Sequence, residues 1–363
     1  GGWLDTPPIT LDTAAGVLNA AVMIDGERPL ACSVSIFSGN REPEPAFGNP
    51  EPGFSIGLED GSSMVLRAAE VWQRHDKPAM QGALVCACLV ACGLVLREQS
   101  DSSATVSYRT LLPPVTCLAI RLESRLAHGS GLGSSSILAA ACILALWEII
   151  GEERDNERLI HIVLYVEQLL TTGGGWQDQV GAVFPGLKLA RFCPDRQTVI
   201  VRPITVSEGL ERSINERLVI VYTGQPRLAK NLLQEVVRSW LTREGDKCAA
   251  LREMSAEVER AEQWIDGDSL PLSHIAQYYS IKKRLATGCE PEGVTRIIEA
   301  LSTVSSVCWL VGAGGGGYLC AALREGYGSA EAQSAIDRAG LTDLRVQRVT
   351  LCHDTVAVER GFD

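Results

Sequence analysis

Three apolar stretches interrupt an otherwise mixed chain, and each predicts a different element. Ala83–Leu96 is apolar over 14 residues, Gly93 included. That is short of the roughly 20 that cross a bilayer, so it reads as a buried core helix inside a helical segment at 79–97. Ile137–Trp147 is rich in Ala and Leu and reads as a second helix. "SVCWLVGAGGGGYLCAAL" (306–323) places Gly312, Gly314, Gly315, Gly316 and Gly317 between two short apolar strands.

The pattern between these landmarks is mixed α and β. The apolar runs of residues 10–30 read as strands of a mixed sheet joined at Asp25-Gly26, and the Pro-, Gly- and acid-rich stretch 38–62 as a surface loop. Helices are expected at 63–75 and 157–171, strands at 105–111 and 115–123, and a sharp turn into strands over 171–192. Leu218–Tyr222 reads as a buried strand, 228–242 and 248–266 as long amphipathic helices, 271–286 as a further helix and 344–350 as a closing strand. The character changes near 205, so two α+β halves, 1–205 and 206–363, are expected to meet at a glycine-lined cleft.

Composition narrows the class. The 363 residues are 46% hydrophobic and 21% charged, the profile of a soluble globular protein. A formal net charge of -11 argues against nucleic acid or an anionic membrane as partner. The 12 cysteines form no C-x-x-C pair and sit mostly in apolar runs such as "CACLVAC" (Cys86, Cys88, Cys92). They read as buried thiols in a reducing compartment, which implies a cytoplasmic location. The chain opens "GGWLDTPPIT" without a leader or a Met, as expected of a segment of a longer protein.

The segment "AHGSGLGSSSILAAACILALW" (127–147) carries the sharpest chemical signal. Gly129, Gly131 and Gly133 permit positive φ and close backbone approach, and Ser134, Ser135 and Ser136 are strong N-cap residues. A flexible loop feeding a helix N-terminus is a ready anion site, with phosphate the first expectation. A Walker A loop is excluded, because no lysine lies between Gly129 and Gly151. A dinucleotide fingerprint fits poorly, because the third glycine comes one residue early.

Two carboxylates join this loop as candidates. Glu167 has Val163, Leu164, Leu170 and Thr171 as its helical neighbours, so it lies on a largely apolar face and needs a partner, either Mg²⁺ on a nucleotide or a basic side chain. Asp178 follows Gly173–Gly175 and could accept a proton from a hydroxyl nucleophile, or serve as an Asx-turn or cap. Asp5 follows another glycine pair, beside Trp3, whose ring suits sugar stacking.

The three glycine-bearing segments, in this order, resemble the GHMP kinases, the superfamily of galactokinase, homoserine kinase, mevalonate kinase and phosphomevalonate kinase. "GSGLGSSSILAA" is similar to their second motif, "LVGAGGGGYLCAAL" to their third and "GGWLDTPP" to the end of their first. "GGWLDTPPIT", "TTGGGWQDQVG", "VYTGQPRLAKNLLQEVVRSW" and "KKRLATGCEP" further resemble the kinase domain of the L-fucokinases. The resemblance implies a two-domain α+β GHMP kinase fold. Its N-terminal half is ribosomal S5-like with a mixed sheet, its C-terminal half ferredoxin-like, and the active site lies in the cleft between them.

It also implies ATP and Mg²⁺ as cofactors and a reaction in which ATP and L-fucose give ADP and L-fucose 1-phosphate. Gly129, Gly131, Leu132, Gly133, Ser134, Ser135 and Ser136 would cradle the triphosphate, and Ser135 with Glu167 would hold Mg²⁺. Asp178 matches the Asp of the galactokinase motif G-I-M-D-Q and would be the catalytic base. Gly2, Trp3, Asp5, Thr6, Gly175 and Gly315 would bind the sugar, with Gly314–Gly317 walling the transferred phosphoryl group. The basic residue that superfamily members carry upstream of the first glycine pair would fall before Gly1, and Ala14-Ala15 stands where fucokinases usually show Gly-Gly. A linked nucleotidyltransferase domain is the implied partner. The alternatives are a kinase for galactose, arabinose or a heptose phosphate, and a module that holds ATP and sugar without turnover.

Overall fold

A computed structural model describes residues 16–38, 53–99, 106–112, 116–127, 129–170, 175–225, 229–264, 269–286, 288–354 and 358. The chain forms two compact units: one takes residues 1–29, 125–134 and 175–355, the other 30–124, 135–174 and 356–363. The division read from the sequence is a single cut near 205, whereas each compact unit is assembled from separated segments. Among the described residues no helix is long and apolar enough to cross a membrane.

In chain order, β1 (Gly16–Ala20) and β2 (Val22–Ile24) open the first unit. The second unit follows with β3 (Leu30–Ser38), β4 (Gly53–Gly57), β5 (Ser63–Leu66), α1 (Ala68–Arg74), α2 (Ala83–Ala91), β6 (Val95–Gln99), β7 (Val106–Thr110) and β8 (Thr116–Ser124). Helix α3 (Ser134–Ile150) and α4 (Asn156–Leu169) complete it. The sheet order is β3-β8-β4-β5, with β4 parallel to β8 and the other pairs antiparallel, so the expected mixed sheet is present. Helix α3 is buried on nearly every side, through residues such as Leu138, Ala139, Cys142, Ile143, Leu146 and Trp147, which is why its sequence shows little amphipathic period. Helix α4 begins where the Asp155 carboxylate accepts the Glu157 and Arg158 N–H groups at 2.9 and 3.0 Å, an N-cap of the usual kind.

The first unit resumes with α5 (Gln177–Val183), β9 (Leu187–Cys193), β10 (Thr198–Pro203), α6 (Glu208–Arg217), β11 (Leu218–Tyr222), α7 (Ala229–Leu241), α8 (Gly245–Trp264), α9 (Leu272–Lys283) and α10 (Glu292–Leu301). It ends with β12 (Ser305–Leu310), β13 (Tyr318–Leu323), α11 (Ser329–Arg338) and β14 (Val346–Leu351). One sheet runs β1-β9-β10 and another β12-β13-β11-β14-β2. Strand β13 is buried at all six positions, as a central strand covered on both faces must be. Its core partners include Val219 and Val221 of β11, Val294, Ile297 and Leu301 of α10, and Ile336 of α11.

The structure corrects several expectations. The loop expected over 38–62 contains β4, whose alternating burial hides Phe54 and Ile56; residues 39–52 lie outside the described ones. The helix expected at 63–75 begins only at Ala68, because Ser63–Leu66 pairs with β4. The helix expected over 79–97 stops at Ala91 beside Gly93, and Val95–Gln99 becomes a strand; an unbroken apolar run does not distinguish the two by period. Strands β2 and β3 join different sheets rather than pairing across Asp25-Gly26. Helix α5 stands where a direct turn into strands was expected, and β10, α6, α10 and α11 were not anticipated.

Candidate active site

The loop before α3 takes the conformation that its glycines require. Gly129, Gly131 and Gly133 have φ of 71°, 81° and 71°. The Ser130 hydroxyl accepts the Leu132 N–H at 3.3 Å and lies 3.5 Å from the Ser134 hydroxyl, which tightens the turn at the point where α3 starts. Asp178 stands in the first turn of α5, where the helix dipole favours a carboxylate. It also faces Gly133: a Cβ added there would lie 2.9 Å from Asp178 Cβ and 3.0 Å from its Cγ. The absence of a side chain at Gly133 is what admits this carboxylate to the loop.

The second glycine run is the turn between β12 and β13, and main chain holds it on several sides. The Gly315 N–H donates to the Cys289 carbonyl at 2.8 Å, and the Gly317 N–H to the Gln225 carbonyl at 2.9 Å. The Tyr318 N–H donates to the Ser130 carbonyl at 2.8 Å, so the two glycine segments touch directly. A Cβ at Gly317 would lie 2.4 Å from the Ser130 carbonyl oxygen. Lys282, in the last turn of α9, donates to the Leu310 carbonyl at 2.8 Å and the Gly312 carbonyl at 2.5 Å, fixing where the turn leaves β12.

In the other unit, Glu167 of α4 is 6% exposed and accepts the hydroxyl of buried Ser136 on α3. The serine hydrogen-bonded to Glu167 is Ser136, the neighbour of the Ser135 expected to share a Mg²⁺ with that carboxylate. Successive helical residues point about 100° apart, so the two hydroxyls cannot share one direction. Ser135 is exposed at the start of the helix.

Residues 83–186 match the family model described as GHMP kinases N terminal domain. Those residues form a GHMP kinases N-terminal domain, and the chain as a whole has the GHMP kinase fold. It is 30% identical over 356 residues to the bifunctional fucokinase/GDP-fucose pyrophosphorylase of Arabidopsis thaliana, covering 97% of this chain and 31% of that protein. It is also 30% identical over 329 residues to the L-fucokinase/L-fucose-1-P guanylyltransferase of Bacteroides fragilis, covering 88% of this chain and 33% of that protein. The chain thus spans about a third of the length of both relatives. In fold it is similar to the mevalonate kinase of Methanococcus jannaschii, with a TM-score of 0.65 at 15% identity, covering 95% of this chain and 94% of that one.

The glycine loop and the Glu167 pair offer different donors. The N–H groups of the first turn of α3, which a helix leaves without intrahelical partners, and the positive-φ glycines before it offer an anion cradle. In the other unit, Glu167 and Ser136 present oxygen atoms, the kind of ligand Mg²⁺ prefers. Among the described residues no group of three or more His, Cys, Asp or Glu is arranged to hold a metal.

Gly2, Trp3, Asp5 and Thr6 lie outside the described residues. Gly175 is described and precedes buried Trp176, while Gly315 is fixed by Cys289 and abuts Leu232, whose Cδ1 lies 2.7 Å from where a Cβ would stand. Sequence reasoning missed the residues that hold these groups. Lys282 and Cys289 fall in "KKRLATGCEP", singled out only as a family-like segment. Gln225 acts through its main chain, which no sequence pattern records. The expected buried thiols are present: all 12 cysteines are free, and burial pushes the Cys86 and Cys92 thiols up to about 12.

Proposed function

We propose that this chain is an ATP-dependent sugar 1-kinase that phosphorylates the anomeric hydroxyl of L-fucose, giving L-fucose 1-phosphate and ADP. The observation that carries the reading is the Asp178 carboxylate held against Gly133, in the loop that opens a helix N-terminus. A general base and an anion cradle are then neighbours, and phosphoryl transfer asks for little besides positioning and charge neutralisation.

In this reading the backbone N–H groups of Gly129, Gly131, Leu132, Gly133, Ser134, Ser135 and Ser136 hold the triphosphate. Asp178 takes the proton from the anomeric hydroxyl as its oxygen attacks the γ-phosphorus and ADP leaves. Ser135 and Glu167 hold Mg²⁺, with Ser136 orienting the Glu167 carboxylate. When bound, the ion neutralises charge on the transferred phosphoryl group. Gly2, Trp3, Asp5, Thr6, Gly175 and Gly315 border the sugar, and residues 1–205 and 206–363 are the N- and C-terminal domains of the kinase. L-fucose is supported by both relatives, whose names carry fucokinase. Their double names also support a nucleotidyltransferase linked to this kinase in a longer protein. A cytoplasmic setting would keep the thiols reduced.

The test is a coupled ADP-release assay with Mg²⁺-ATP and L-fucose, D-galactose, D-arabinose, L-arabinose and a heptose phosphate in parallel. L-fucose should show the highest kcat/KM, by about tenfold or more over sugars that lose a hydroxyl contact. Preference for another sugar would overturn the fucose assignment. Saturable ATP binding with no turnover of any sugar would replace the enzyme with a binding module.

A further inference from the structure

Lys188, on β9, has no solvent exposure at all. Its Nζ donates to the carbonyls of Phe184 at 2.5 Å and Gly186 at 3.3 Å. An ammonium is seldom buried without a carboxylate partner, and carbonyl oxygens are weak compensation. Burial accordingly brings its pKa down from 10.5 to about 8. The arrangement makes sense in terms of what those carbonyls belong to. Phe184 is the C-cap residue of α5, and Gly186 lies in the two-residue link to β9.

Helix α5 has only 7 residues, too few to be stable by its own hydrogen bonds. A cation at its last carbonyl satisfies an orphan acceptor and complements the dipole. The lysine itself is well anchored: its backbone pairs with Asn19 on one side and Pro203 on the other, in the central strand of the β1-β9-β10 sheet. At the far end of the same helix stands Asp178, against Gly133. A rigid sheet therefore holds one end of a short helix whose other end carries the carboxylate.

We propose that Lys188 is a positioning residue for Asp178: its ammonium clamps the C-cap carbonyl of α5 and the Gly186 carbonyl just beyond it, and so fixes the angle at which the helix presents the carboxylate to the 129–134 loop. The kinetic part rests on the reading of Asp178 as base; the clamp itself does not.

Lys188→Met removes the charge at similar volume, and Lys188→Gln keeps a shorter donor. Hydrogen exchange followed by mass spectrometry reads the clamp without any activity: segment 177–184 should exchange roughly tenfold faster, with α8 and α10 unchanged. Unchanged exchange there overturns the proposal, as does loss of protection in α8 and α10, which would make Lys188 a general fold residue. In the sugar assay, kcat should fall roughly 10- to 100-fold as the carboxylate is misplaced, with KM for ATP within about twofold. In an Asp178→Asn background the same substitution should cause no further loss of kcat. Faster exchange with unchanged kcat, or an equal fractional loss in both backgrounds, overturns the positioning role. A wild-type chain that turns over no sugar sinks the kinase reading, and the exchange measurement still decides the clamp.

Discussion

An added Cβ at Gly133 would meet a side chain, the Asp178 carboxylate, whereas at Gly317 it would meet main chain, 2.4 Å from the Ser130 oxygen and 2.8 Å from its carbonyl carbon. Both residues have φ in the left-handed region, 71° and 79°, and both belong to glycine runs that look alike in the sequence. The first glycine makes room for a carboxylate. The second makes room for the first loop's backbone, and the Tyr318 N–H bonded to Ser130 ties the two together. One glycine run is therefore shaped by a functional group and the other by the architecture beneath it.

The largest test of this contrast is Gly317→Ala. A carbonyl oxygen in a hydrogen-bonded turn cannot swing away as a side-chain end can, and the positive φ adds its own strain. The substitution should cost about 3–5 kcal/mol in urea denaturation, or leave the chain insoluble. A cost below about 1 kcal/mol would mean that the turn relaxes freely and that the contrast is wrong.

The anchoring of α5 is tested by pH. Between about 8 and 10.5 the folded chain has released the Lys188 proton while the unfolded chain still binds it. Stability therefore rises with pH across that window, and the contribution levels off below about 8, where both states are protonated. The wild-type chain should gain up to about 3 kcal/mol relative to Lys188→Met between those limits. Parallel stability curves would show that the lysine keeps its ordinary pKa and that its burial is looser than the structure gives.

Gly133→Ala should behave differently from Gly317→Ala. Its obstacle is a side chain, so the chain should fold with a loss of about 1–2 kcal/mol from the positive φ. Displacement of the Asp178 carboxylate should lower kcat roughly 10- to 100-fold. A large stability loss with kcat preserved in the folded fraction would reverse the assignment of the two glycines.

What was legible in the sequence follows the same line. The glycine runs, the helix after Ser134, strand β11 and the helices α7 to α9 carry strong local signals, either turn chemistry or a clean period. Glu167 was legible as a buried carboxylate because its helical neighbours are apolar, but the Ser136 hydroxyl that it accepts was not. Adjacent serines at a helix start are indistinguishable until the helix phase is known. Strand β4 was hidden because five residues among prolines and glycines carry too short a pattern, although Phe54 and Ile56 alternate as they should. Lys188 could not be found at all, since a buried lysine is defined by the carbonyls around it and no local pattern records them.

The smallest expected effect, at Lys282, separates the two loops most finely. Its ammonium holds the Leu310 and Gly312 carbonyls where the second glycine turn begins, and its stem packs by Tyr279, with Nζ 5.9 Å from the ring centroid. Lys282→Met removes charged hydrogen bonds to neutral acceptors that water can partly replace, because the site is only part-buried. A loss of about 1–2 kcal/mol is expected. The kinetic signature matters more than the size. In the proposed arrangement, which sets Gly315 beside the sugar and the 129–136 loop around the triphosphate, slackening the β12–β13 turn should raise KM for the sugar while leaving KM for ATP within about twofold. Because the Tyr318 N–H is bonded to Ser130, a disturbance that spreads through the turn would instead raise both together. That outcome would make the two glycine segments one mechanical unit, and the contrast between Gly133 and Gly317 would then hold for folding but not for binding.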